Sequence, residues 1–203
     1  MKDLLALKSY LQHRNVKAFL FMLRRAEGTS SANGYRYLFG SSPRNEKLFD
    51  SYTDHPNIKT AFTNSKGQAL VTSAAGAYQF LHSTWMQLKD KLHLQDFSPE
   101  NQDLAALQLI MDAGALEDII QRDIKSALQK VKKIWASLPG AGYHQHEHAF
   151  IVVIRWYTSA GGKAKLSIKE SINLFYVRTK HVLSRTFRRY VPVFYFLHVN
   201  LAW

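Results

Sequence analysis

The sequence predicts an α+β domain: a mainly helical lobe with a small β lobe inserted after the first major helix. Three observations predict it. Apolar residues recur at helical spacing over 16–27 and again over much of 83–135. Between them, Gly34, Gly40, Pro43, Pro56 and Gly67 break the chain into short runs such as Tyr35-Arg36-Tyr37-Leu38-Phe39 and Gln68-Ala69-Leu70-Val71-Thr72, which read as short strands and loops. Hydrophobic residues make up 46% and charged residues 21% of the 203 positions, the balance of a globular chain rather than a disordered one.

Residues 3–12 read as a short amphipathic helix. In the next helix Phe19, Leu20, Leu23 and Ala26 share a face, Asn15 is the expected N-cap, and Gly28 stops it, which leaves Glu27 in the last turn. After the β lobe a helix is expected over 83–92. Another starts at Ser98-Pro99-Glu100, with a cap, a proline at the first helical position and an acid in the first turn, and ends near Gly114. Further helices are expected over 123–135 and after Gly142. No internal repeat is visible. The chain divides into one domain over 1–162, of which 1–14 is an N-terminal extension, and a cationic, aromatic-rich extension over 163–203.

The absence of cysteine excludes disulfides, a cysteine nucleophile and a thiolate metal site. Lys8, Gln12, His13 and Arg14 interrupt the apolar run at the N-terminus, so a signal peptide is not expected, and no stretch approaches about 18 consecutive apolar residues. The net charge of +12 points to an anionic partner. From Gly162 onward eight basic residues face one acid, Glu170, so this short segment carries more than half of the excess. With Tyr190, Phe194, Tyr195 and Phe196 beyond it, the extension suits an anionic envelope or membrane surface, or it is a segment that simply packs on the body.

Among fifteen carboxylates Glu27 stands out by position. At a helix C-terminus the dipole disfavours its ionised form, and partial burial acts in the same direction, as a general acid near neutral pH requires. A solvated helix-end glutamate beside Arg24 fits the same residues. Within His144-Gln145-His146-Glu147-His148, His144 and His148 could share a helix face. The zinc pattern His-Glu-x-x-His fails at Phe150, so no metal is expected, and no cofactor motif is present.

Six ordered blocks add a resemblance. Ala26-Glu27-Gly28-Thr29, Phe49-Asp50-x-Tyr52-x-Asp54-His55-Pro56, Gly76-Ala77-Tyr78-Gln79-Phe80, Asp96-Phe97-Ser98-Pro99-x-x-Gln102-Asp103, Gly114-Ala115-Leu116 and the run from Ile134 through Trp135-Ala136-Ser137-Leu138-Pro139-Gly140-Ala141-Gly142 to Tyr143 resemble the lambda-type phage endolysin family of lytic transglycosylases. The resemblance covers about 16–162. It implies a lysozyme-like fold, with a small antiparallel β lobe and the active site in the cleft between it and the helical lobe, and Glu27 as catalytic acid/base. It also implies cleavage between N-acetylmuramic acid and N-acetylglucosamine, with the muramic C6 hydroxyl attacking C1 to leave a 1,6-anhydro product. The family has Trp-Ser before the glutamate where this chain has Arg25-Ala26, and Arg25 is expected to point outward.

The candidates for binding sugar are Asp54, Tyr78, Gln79, Tyr143 and Gln145, with Tyr78 and Phe80 equally readable as core aromatics. A hydrolytic lysozyme would pair Glu27 with a second carboxylate, for which Asp50 and Asp54 are available, although both also read as turn chemistry. A cell-wall binding module without catalysis, or a nucleic-acid binder using the basic extension, are the readings from other classes; neither nucleic acid as a partner nor oligomerisation is expected. The family further implies synthesis in the host cytoplasm and action on the periplasmic wall after release through a holin pore.

Overall fold

A computed structural model describes residues 2–64, 66–143 and 147–187. Gln145, His144 and His146 lie outside the described residues, as does the stretch 188–203 of the cationic extension. The chain forms two compact units, Met1–Lys165 and Leu166–Trp203.

The first unit is built on helix α2 (Arg14–Ala26), whose Val16, Ala18, Phe19, Met22 and Leu23 are fully buried. Helix α1 (Lys2–Leu11) precedes it and packs on α4 (Pro99–Asp112), with Leu7 buried beneath and a Lys8–Glu100 ion pair of 2.8 Å at the rim. The β lobe follows α2. Strands β1 (Thr60–Thr63) and β2 (Ala69–Thr72) pair antiparallel, Thr60 opposite Thr72. Helices α3 (His82–Leu92), α4, α5 (Leu116–Ile120), α6 (Ile124–Val131) and α7 (Phe150–Ser159) complete the helical lobe, with α7 packed along α2. The second unit carries helix α8 (Ile168–Phe187).

Four local expectations change. Asn15 is not the cap of α2: His13 takes that place, accepting from the Asn15 N–H at 3.3 Å. Asn15 is instead buried, its amide donating to the Ile119 carbonyl at 3.0 Å while its Oδ1 accepts from Lys163 N–H. Residues 35–39 form no strand. A 3₁₀ turn at Gly34–Arg36 leads into isolated bridges, Tyr37 to Leu48 and Leu38 to Ala75, and the partner of the 69–72 strand is β1. The helix expected over 123–135 ends at Val131, and the one expected after Gly142 begins at Phe150.

One buried amide ties the two lobes. Gln102 of α4 is fully buried, accepts from Ala77 N–H at 2.8 Å, and donates to the carbonyls of Phe97 at 2.7 Å and Tyr35 at 3.0 Å. Gly76 lies against it with φ of 79°, and a Cβ there would collide with Gln102 Oε1 and come within 2.8 Å of Phe97 Cζ, so both conformation and space demand glycine. The turn 76–80 that leads into the cleft is thereby fixed in place.

Candidate active site

Glu27 sits where α2 must end. Gly28, at φ of 74°, donates to the Arg25 carbonyl at 3.2 Å and Thr29 N–H donates to the Arg24 carbonyl at 2.8 Å, the paired bonds of a Schellman cap. Thr29 is buried and its hydroxyl donates to the Ala77 carbonyl, which joins the helix end to the fixed 76–80 turn. The Glu27 side chain therefore projects from a rigid corner.

It projects into a cleft of about 580 Å³ between the lobes. On the β side the lining includes Tyr37, Phe39, Ser41, Phe62 and Thr72, and on the helical side Lys133, Ile134, Trp135, Ala136 and Tyr143. Among the described residues that line it, Glu27 is the only carboxylate. Burial pushes the Glu27 carboxyl up from 4.5 to about 7, against the opposing pull of a hydrogen bond donated by the Ser137 hydroxyl to Oε1 at 2.5 Å.

The segment bearing Ser137 is braced from several directions. Leu138 is buried, Trp135 Nε1 donates to the Tyr78 carbonyl at 3.2 Å, and the Ser137 carbonyl accepts from His148 N–H at 2.9 Å. The Glu147 carboxylate accepts from Gly140 N–H at 2.9 Å and Gly142 N–H at 2.6 Å, bonds that hold its pKa below the usual range. The His148 ring lies 3.1 Å from the Ala26 carbonyl and stacks edge-on against Trp156. Arg25 is exposed and reaches over the same indole, its guanidinium 5.5 Å from the centre of the Trp156 ring.

Of the expected sugar-binding residues, the structure brings Gln79 and Tyr143 to the cleft with Glu27. Gln79 is held at φ of 50°, a left-handed conformation that costs a non-glycine residue about 1 kcal/mol or more, with its amide donating to the Gly76 carbonyl at 3.0 Å. Tyr143 is anchored by its hydroxyl on the Lys133 carbonyl at 2.7 Å and keeps an exposed face.

Tyr78 and Asp54 are corrections. Tyr78 is a core residue whose hydroxyl donates to Asp103 at 2.6 Å, pointing away from the cleft. Asp54 does not line the cleft. Its Oδ1 accepts from Trp85 Nε1 at 2.9 Å and from His55 N–H at 2.8 Å, and its Oδ2 accepts from Lys89 at 2.7 Å. Burial alone would raise its pKa, but the Lys89 and Trp85 hydrogen bonds outweigh it and hold the group below the ordinary carboxylate value. Asp50 is fully exposed and 3.8 Å from Arg36, so neither aspartate faces Glu27 across the cleft. Sequence reasoning missed Ser137, since a serine in a loop carries no local sign that it will meet a carboxylate 110 residues away.

A carboxyl that keeps its proton near neutrality and opens onto a groove can protonate a glycosidic oxygen, and on this α+β frame it defines a lysozyme-like glycosidase. Known proteins agree. The family model for Endolysin matches residues 17–164. The endolysin of Escherichia phage P2 is 38% identical over 158 residues, covering 74% of this chain and 94% of that protein, and the endolysin of Escherichia phage lambda is 41% identical over 155 residues, covering 73% and 92%. The solved structure of bacteriophage lambda lysozyme complexed with a chitohexasaccharide superimposes with a TM-score of 0.68 at 40% identity, covering 75% of this chain and 97% of that one. The chain belongs to the Endolysin family, the peptidoglycan-degrading lysozyme-like enzymes of phages.

Proposed function

We propose that this endolysin cleaves the bond between N-acetylmuramic acid and N-acetylglucosamine as a lytic transglycosylase, with Glu27 as the single acid and base. The observation that carries the reading is that, among the described residues lining the cleft, Glu27 has no carboxylate partner. Hydrolysis with a second carboxylate needs one across the scissile bond, about 5–10 Å away, to activate water or attack the sugar.

With a pKa of about 7, Glu27 is largely protonated at mildly acidic pH and about half protonated at neutral pH. It donates that proton to the glycosidic oxygen as the C1–O bond breaks, and the freed N-acetylglucosamine end leaves as an alcohol. The resulting carboxylate is held by the Ser137 hydroxyl. It then takes the proton of the muramic C6 hydroxyl as that oxygen bonds to C1, which closes the 1,6-anhydro ring and returns Glu27 to its acid form. No water is consumed, because an internal hydroxyl at high effective concentration replaces it.

Gln79 and Tyr143 are assigned to the sugar, the first through its amide and the second through its exposed ring face. A lambda lysozyme bound to a chitohexasaccharide supports a glycan strand in this groove. Action on the wall after passage through a holin pore belongs to the same proposal. Digestion of purified peptidoglycan, with mass analysis of the released fragments, tests the chemistry: anhydromuramic ends support it, and reducing muramic ends contradict it.

A further inference from the structure

We propose that helix α8 docks on the surface of an anionic phospholipid bilayer. The helix starts itself. Ser167 donates to the Glu170 carboxylate through both its N–H and its hydroxyl at 2.8 Å, and Glu170 N–H returns a bond to Ser167 Oγ at 3.3 Å, a complete capping box. The one acid found from Gly162 onward is thus occupied at the first turn.

Four large apolar side chains of α8 stay in solvent, while Leu174 is buried. Ile168 is 82% exposed, Ile172 61%, Phe175 70% and Tyr176 62%. At about 100° per residue these four positions fall within one arc of roughly 100°, the width of a stripe that a helix ordinarily buries. The same periodicity sets the basic positions on both borders of the stripe, with Lys169 and 180 on one side and 178 and 185 on the other, while Glu170 falls opposite.

Apolar centre and cationic borders together select the occupant. A helix lying in the plane of a membrane sinks its apolar stripe among the acyl chains while flanking cations meet the phosphates. Nucleic acid would use the cations but leave the Ile168–Ile172–Phe175 stripe in water. No helix among the described residues is long and apolar enough to cross a membrane. Each basic residue near an anionic surface strengthens binding by roughly fivefold, and more than half of the excess of positive charge lies from Gly162 onward.

The full chain is tested by sedimentation with vesicles of phosphatidylglycerol and phosphatidylethanolamine, against vesicles of phosphatidylcholine alone. It is expected to sediment with the first, and to bind the second at least about tenfold more weakly. Ile172→Ser with Phe175→Ser, and separately Lys169→Gln with Lys180→Gln, should each weaken binding to anionic vesicles by about tenfold or more while the thermal midpoint of the body stays unchanged. Failure of the unmodified chain to bind anionic vesicles would overturn the proposal. So would full binding to them by the double variant Ile172→Ser with Phe175→Ser, or duplex DNA bound in place of vesicles and unaffected by those two substitutions.

Discussion

Ser137 donates its hydroxyl to Oε1 of Glu27 at 2.5 Å, joining the loop after α6 to the end of α2. That bond is strongest when Glu27 is ionised, so it opposes the rise caused by burial, and the two together leave the pKa at about 7. Ser137→Ala should therefore shift the alkaline limb of the activity profile to higher pH and reduce kcat by about tenfold. The pH dependence of kcat/KM on soluble glycan checks it, and a lower rate with an unshifted limb would reduce Ser137 to a structural contact.

Stability should follow the same carboxyl. The folded chain holds the Glu27 proton more tightly than the unfolded chain, for which 4.5 is the ordinary value. The contribution is fully present below pH 4.5 and is lost as pH rises through about 7, a loss on the order of 3 kcal/mol. Glu27→Gln escapes it. At pH 8 the variant should melt higher than the parent by roughly 5–10 °C, and at pH 4 the two should nearly coincide. Thermal unfolding at both pH values measures this, and equal midpoints at pH 8 would mean that Glu27 is solvated.

Gln102 offers a test of the frame. Gln102→Ala leaves the Ala77 N–H and the Phe97 and Tyr35 carbonyls without their partner and opens a cavity, which should cost about 3–5 kcal/mol by denaturant titration. A cost below about 1 kcal/mol would show that the 76–80 turn holds without it.

The two aspartates of the β lobe should separate from the chemistry. Asp50→Asn is expected to change the rate by less than about twofold, since its carboxylate is exposed and away from the cleft. Asp54→Asn weakens the Lys89 and Trp85 bonds and should lower stability by about 1–2 kcal/mol while leaving the reaction product the same. Loss of cleavage in Asp50→Asn would reopen a two-carboxylate reaction.

Much of this was legible in the sequence where the signal is local. The glycine after Glu27 marks the helix end, Ser98-Pro99 marks a helix start, and the Gly- and Pro-broken stretch marks the β lobe. Position alone singled out Glu27, and the extent of its burial, the cause of its raised pKa, could not be read from the helix end. What stayed hidden is set by contacts distant in sequence. Asn15 has the character of a cap, but Ile119 and Lys163 draw it inside. Tyr78 has the character of a sugar platform, but Asp103 takes its hydroxyl into the core. Asp54 offers a carboxylate, yet Trp85 and Lys89 consume it. In each case a partner many residues away decides the role.

The most direct test is digestion of purified peptidoglycan by the full chain and by Glu27→Gln, followed by mass spectrometry of the fragments. Fragments ending in 1,6-anhydromuramic acid, one water lighter than reducing ends, are expected from the parent, with release by the variant reduced by about a thousandfold or more. Reducing ends, or release that survives in Glu27→Gln, would contradict a single-carboxylate transglycosylase.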